Sequence, residues 1–290
     1  MKDETGRDEG VQMEQSTNNS SAVAEAITKL AAIGAGTMAG AIVKGAISEG
    51  LERQNVVVST RSEQTKEEWE SFGVKVADEN CDAVKDADVV LIGVKPAQVT
   101  EVLGEIGASL RDDAVVVSVA AGVSLDTMAQ ALPDGVAVVR VMPNSPALLR
   151  AGAASLTPGA HVDEKQMERV RALFGAVGTF VEVQEQYIEA VTAVSGSGPA
   201  YVYRLVEAMV DGGVLLGLTR DDATTLAVAT AQGAALMLAE SGVRPGELRE
   251  QVTSPGGTTA AALAQMSRGG FESAVLDGMV ACRDRSRELG

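Results

Sequence analysis

Six short β-branched runs, at 29–33, 56–59, 74–76, 89–94, 114–119 and 136–141, each give way to a helical pattern, and this alternation constrains the chain most. Strands alternating with helices require right-handed crossovers and a parallel sheet. Runs as uniformly apolar as VVLIGV at 89–94 suit strands covered by helices on both faces. After Val183 the strand signals stop, and the remainder reads as helices over 186–194, 199–216, 221–240, 245–252, 258–268 and 271–289. The fold class expected is therefore α/β, with a parallel-sheet domain over 29–184 followed by an all-α domain over 185–290. Residues 1–28 are acidic and polar, with too little apolar surface to offset the entropy of ordering, so they are expected to form a flexible tail.

The first strand runs into Gly34, Ala35, Gly36, Thr37, Met38 and Ala39, which match G-x-G-x-x-A at the mouth of a helix. By itself such a turn is only a turn. Between a strand and a helix in a parallel sheet it becomes a dinucleotide site of the Rossmann type. Gly34 permits the tight turn, Gly36 lets backbone N–H groups approach a pyrophosphate, and Ala39 lets the helix pack close. At the end of the second strand, Ser59, Thr60 and Arg61 precede any acid, which favours the extra phosphate of NADPH over the bare ribose of NADH. Val94, Lys95 and Pro96 end the fourth strand, and Met142, Pro143 and Asn144 end the sixth. Both groups lie at the C-terminal strand edge, where open α/β sheets bind ligands. Lys95 can equally be a solvated cation, and the prolines can simply end strands.

Composition removes several functions. Lys and Arg number 24 against 40 Asp and Glu, a net charge of -16, so the basic surface needed for nucleic acid or anionic lipid is missing. Two Cys 201 positions apart, Cys81 and Cys282, form neither a disulfide framework nor a zinc cluster, and a reducing cytoplasm suits them. The N-terminus lacks the basic start and apolar run of a secretory signal. The uncharged stretch at 223–239 contains three Thr and a Gln and is too short for a membrane span. It is apolar nearly all round, as expected of a helix buried on every side or shared between subunits, so a homodimer at the least is expected. The single His161 sits in a polar segment and reads as a surface residue.

No Lys occurs after Lys165. In this amine-free half, SGSGPA at 195–200 opens a long helix, and SPGGTT at 254–259 opens another. Capping explains either motif taken alone. The glycine pair of the second, flanked by hydroxyls and opening onto unpaired helical N–H groups, also makes a cradle for a carboxylate.

Taken in order, GAGTMA, ADVVLIGVKP, RVMPNSPA, AVSGSGPAY and above all VTSPGGTTAAAL resemble the pyrroline-5-carboxylate reductase family over residues 29–289. The resemblance implies NAD(P)H-dependent reduction of 1-pyrroline-5-carboxylate to L-proline, the final step of proline biosynthesis; residues 59–61 make NADPH the expected cofactor with NADH as a weaker alternative, and hydride transfer to an imine needs no metal. It implies Gly34, Ala35, Gly36, Thr37, Met38, Thr60, Asn80, Val94, Lys95, Pro96 and Ala121 lining the cofactor, with Met142, Pro143 and Asn144 near the nicotinamide. Ser254, Gly256, Gly257 and Thr258 would hold the substrate carboxylate, and Thr259 would serve catalysis beside the ring nitrogen. It further implies dimers that exchange helices, and decamers of five dimers. Thr37 stands where the family often has Asn or Gln, and the N-terminal tail is longer than usual. Dehydrogenases that pair the same domain types with a catalytic Lys in their first C-terminal helices are disfavoured by the missing Lys. A catalytically silent NADP-binding regulator would have no need of SPGGTT.

Overall fold

A computed structural model describes residues 22–289, which divide into two compact units after Ile188. The first unit contains α1 (Ala22–Ala26), β1 (Leu30–Ile33), α2 (Thr37–Ser48), β2 (Val56–Ser59), α3 (Glu63–Ser71), β3 (Lys75–Ala77), α4 (Asn80–Val84), β4 (Val89–Ile92), α5 (Val99–Ile106), β5 (Val115–Ser118), α6 (Leu125–Gln130), β6 (Ala137–Pro143), β7 (Gly152–Pro158), α7 (Glu164–Gly175) and β8 (Gly178–Glu182). Its eight strands form one sheet in the order β3-β2-β1-β4-β5-β6-β7-β8. The first six are mutually parallel, β7 runs antiparallel to β6, and β8 is parallel to β7.

Every residue of β1, β2, β4 and β5 is buried, and the alternation of side chains divides them between two apolar layers. Leu30, Ala32, Val56, Val58, Val89, Leu91, Val115 and Val117 face one layer with α2 and α7. Ala31, Ile33, Val57, Val90, Ile92 and Val116 face the other, with α4, α5 and α6. Burying a Val, Leu or Ile side chain contributes roughly 1.5 to 3 kcal/mol.

Three sequence expectations need correction. Strands β7 and β8 were not anticipated: GAASLTP carries little β-branched character, and Ser155 and Thr157 are buried on one face as Ala154 and Leu156 are on the other, so no apolar-in, polar-out alternation marks the strand. Residues 22–28 are not tail. Val23 and Ile27 are buried in the core, and the buried Asp88 carboxylate accepts the Thr28 and Lys29 N–H groups at 2.6 and 2.9 Å. Composition over 28 residues could not register an acceptor 60 positions away; residues 1–21 lie outside the described residues. The first unit also runs past 184, because the Glu185 carboxylate accepts from Leu125 N–H and Arg140 Nη1, both at 2.8 Å, and Ile188 is buried.

The second unit is helical. The short α8 (Ile188–Val191) passes into a π-helical turn at Thr192–Gly196, followed by α9 (Gly198–Leu215), α10 (Arg220–Glu240), α11 (Pro245–Gln251), α12 (Thr258–Arg268) and α13 (Phe271–Leu289). Helices α9 and α10 pack closely enough that a Cβ on Gly213 would lie 2.9 Å from Ala223 Cβ. Within one chain, however, burial in this unit is confined to Ala193, Val210, Ala223 and Ala227 among the described hydrophobics. On α10, Leu226, Val228, Leu236, Met237 and Leu238 are exposed, so the helix is not buried on every side by its own chain. Among the described residues, no helix is long and apolar enough to cross a membrane.

Candidate active site

The sheet reverses its strand order between β1 and β4, and the residues expected at a cofactor lie where the chain leaves the C-terminal ends of the parallel strands. Register brings those ends level: Ile33 pairs with both Ser59 and Ile92, Ile92 with Ser118, and Ser118 with Arg140. Past β1, the Gly34 N–H donates to the Ser59 carbonyl and the Gly93 N–H to the Ile33 carbonyl, both at 2.8 Å.

Gly34 then turns the chain at φ +78°, where a side chain would be strained and its Cβ would stand 2.7 Å from Val94 Cγ1. Gly36 is the N-cap of α2, and a Cβ there would meet nothing within 4 Å. The first bond of α2 is Gly40 N–H to the Gly36 carbonyl, so the N–H groups of Thr37, Met38 and Ala39 have no partner within the helix. Among the described residues no side chain caps this end. An open, uncapped helix N-terminus behind a glycine turn fits a dinucleotide pyrophosphate. Gly93, which sequence reasoning passed over, matters as much: a Cβ there would lie 2.4 Å from Ala39 Cβ and 2.7 Å from the Gly34 carbonyl oxygen. Its only sequence signal is a glycine at the end of an apolar strand.

The remaining residues behave individually. Ser59 is buried, and its hydroxyl donates to Asn80 Oδ1 at 2.8 Å, while Asn80 Nδ2 donates to Glu105 at 2.8 Å. Ser59 therefore fixes Asn80 and does not present its hydroxyl outward. Thr60 is half-buried, and Arg61 stands out with 75% of its side chain exposed, 4.0 Å from Glu101. Val94 is half-buried, Lys95, Pro96 and Ala121 are exposed, and Met142 is half-buried beside the buried Pro143. Asn144 is buried and accepts the Ala153 N–H at 2.8 Å, which joins the end of β6 to β7. His161 is exposed in the turn before α7.

In the second unit, SPGGTT builds the start of α12. Gly256 sits at φ +67°, Gly257 is the N-cap with its N–H on the Ser254 carbonyl at 3.0 Å, and the first helical bond is Ala261 N–H to Gly257. The N–H groups of Thr258, Thr259 and Ala260 are thus without helical partners. Ser254, Gly256 and Thr258 are exposed, and Thr259 is half-buried. SGSGPA does not act as an ordinary cap: Ser195 Oγ donates to the Val191 carbonyl at 3.1 Å, and Ser197 Oγ lies 3.1 Å from Cys282 Sγ.

A family model described as pyrroline-5-carboxylate reductase dimerisation matches residues 185–289, and one described as NADP oxidoreductase, coenzyme F420-dependent, matches 29–122. Over 268 residues the chain is 44% identical to the pyrroline-5-carboxylate reductase of Corynebacterium melassecola, covering 91% of this chain and 99% of that one. The chain belongs to the pyrroline-5-carboxylate reductase family. The Escherichia coli member is 39% identical over 90% of this chain and 98% of its own. A solved pyrroline-5-carboxylate reductase from Coxiella burnetii superposes with a TM-score of 0.87 at 35% identity, over 91% of this chain and 98% of that one. The Plasmodium falciparum pyrroline carboxylate reductase, solved with NADP bound, gives 0.79 at 26% identity over 91% and 98%. The family's Rossmann-like first domain and helical second domain are those described above.

Proposed function

We infer that this chain is an oxidoreductase that reduces 1-pyrroline-5-carboxylate to L-proline, and we propose that NADPH serves it better than NADH. The observation that carries the reading is the pairing, in one chain, of two glycine-opened and uncapped helix N-termini of different character. The one at Gly36 follows β1 at the strand reversal and suits a pyrophosphate. The one at Gly257 suits a small carboxylate, with hydroxyls at Ser254, Thr258 and Thr259 around it.

When bound, NADPH supplies a hydride from C4 of its dihydronicotinamide. The substrate's C=N bond becomes a CH–NH bond by gain of that hydride at carbon and a proton at nitrogen. The imine carbon is far more electrophilic once the nitrogen is protonated, so the residues of the chain chiefly position. Backbone N–H groups at Thr258, Thr259 and Ala260 orient the carboxylate, and the Thr259 hydroxyl hydrogen-bonds the ring nitrogen. A threonine hydroxyl is too weak an acid to replace His or Glu, so water or prior protonation supplies the proton. Orientation of this kind can contribute up to about 7 to 11 kcal/mol. Thr60 and the exposed Arg61 are assigned to the NADPH phosphate, and Lys95, Ala121 and Met142 to the rest of the cofactor.

The homo-oligomer is proposed as a dimer at the least, with a decamer of five dimers as its larger form. A reducing cytoplasm suits its two free thiols, Cys81 and Cys282. The deciding experiment is oxidation of NADPH by the purified protein, followed at the absorbance of the reduced nicotinamide. Turnover that depends on 1-pyrroline-5-carboxylate, and is faster with NADPH than with NADH, is expected. Folded protein that oxidises neither cofactor with this substrate would falsify the reading.

A further inference from the structure

Trp69, the only tryptophan of the chain, sits on α3 with 3% of its surface exposed, and its indole Nε1–H donates to the Ala35 carbonyl at 3.1 Å. Ala35 is itself buried inside the dinucleotide turn, so its carbonyl would otherwise be a desolvated acceptor. The N–H at the other end of the same peptide, on Gly36, donates to the Gly34 carbonyl at 2.8 Å. Both polar ends of the 35–36 peptide are therefore held, and its plane is fixed. The next N–H groups along the chain are those of Thr37 and Met38.

The surroundings hold the indole as firmly as the indole holds the turn. Phe72 meets it edge-on at 5.9 Å, and the Lys44 ammonium stands 5.3 Å from its centroid. A Cβ on Gly40 would lie 3.4 Å from both Trp69 Cζ2 and the Ala35 carbonyl oxygen, so glycine there leaves the ring its place over the turn. A side chain that merely filled this space would need no donor. Helices α3, α6, α7 and α10 have their first turns fixed by Ser62, Ser124, Asp163 and Thr219, whereas α2 has no side-chain cap.

We propose that Trp69 is a positioning residue for the cofactor: by holding the Ala35 carbonyl it sets the direction of the amide groups at the start of α2 and thereby tunes NADPH affinity. The proposal rests on the dinucleotide reading of that turn. Its test compares the full-length protein with Trp69→Phe, which keeps a ring and loses the donor, and with Phe72→Leu, which loosens the packing and keeps the donor. NADPH binding is measured by calorimetry, and Michaelis constants for both substrates are measured alongside. Trp69→Phe should raise the NADPH dissociation constant roughly three- to tenfold. The Michaelis constant for the imine and the turnover at saturating NADPH should not change. Phe72→Leu should lower the melting temperature and leave NADPH affinity intact. In the unaltered protein, the single indole N–H cross-peak in a 15N spectrum should shift on titration with NADP+ and saturate with the binding curve.

Equal NADPH affinity in Trp69→Phe and the unaltered protein would overturn the proposal, as would equal weakening in both variants, which would mark a packing role alone. Should Trp69→Phe fail to fold, the cross-peak decides, and an indole signal indifferent to saturating NADP+ overturns the idea. Unaltered protein that binds no NADPH would instead overturn the dinucleotide reading, and this proposal with it.

Discussion

The Ser254 hydroxyl lies 2.6 Å from the point where a Cβ on Gly257 would stand, and the Ser254 carbonyl oxygen lies 3.1 Å from it. Gly257→Val must therefore push Ser254 aside and crowd the approach to the three leading N–H groups of α12. Charge-assisted bonds to a carboxylate are worth about 1.5 to 3 kcal/mol each, so losing one should raise the Michaelis constant for the imine at least roughly tenfold. NADPH affinity, measured by direct titration, should stay near its original value. Equal loss of both ligands would reduce the motif to a structural cap.

Thr259→Ala removes a hydroxyl near the helix start and no backbone donor. Turnover should fall roughly tenfold, as for loss of one hydrogen bond to the reacting ring, while substrate still binds through the N–H groups. Unchanged turnover in steady-state kinetics would remove Thr259 from the chemistry.

Arg61→Ala should raise the Michaelis constant for NADPH roughly tenfold and leave that for NADH unchanged, because only NADPH carries the additional phosphate. The guanidinium is exposed, so this difference should shrink as salt is added. A parallel rise for both cofactors would show that Arg61 does not meet the phosphate.

Acid stability should respond to Asp113. A hydrogen bond from Arg169, with the nearby Arg111 charge, holds the Asp113 carboxyl below the ordinary carboxylate range. A group with a depressed folded value contributes its stability fully above the unfolded value, near pH 4, and loses it as the pH falls through the folded one. Asp113→Asn keeps an acceptor for the buried Arg169 and removes the titration. Its melting temperature should therefore fall less steeply than that of the unaltered protein below about pH 4. Identical acid limbs would exclude the ion pair as a source of acid sensitivity.

Sedimentation should find no active monomer at 29.8 kDa, because α10 leaves Leu226, Leu236 and Leu238 uncovered within one chain. Replacing Leu236 with Asp should lower the concentration-dependent melting temperature and shift the protein toward smaller species. A stable, active single chain would sink the dimer.

The sequence was most readable where one element meets its own local rules. Strand β2 at Val56–Ser59 and helices α12 and α13 start and end where periodicity and glycine punctuation place them. The cofactor turn was equally plain, since the mouth of a helix behind a strand is a local pattern. What stayed hidden depends on distant partners. Strand β7 is drawn into the sheet by β6 and β8 in spite of its own composition, and residues 22–28 are ordered by Asp88. Trp69 and Gly93 could be seen only as a rare aromatic and a stray glycine, because what makes them matter is the Ala35 carbonyl and the Ala39 methyl, each more than thirty positions away.

The scarcity of core in the helical unit has a genetic side. If the missing interior is lent by a second copy related by a twofold axis, every residue on that face appears on both sides of the contact. A single codon change at Leu226 or Leu236 then alters two positions of one interface at once, so the same substitution weighs twice there and only once at β1. In such an arrangement the exposed leucines of α10 would answer to the neighbour as much as to the chain's own packing.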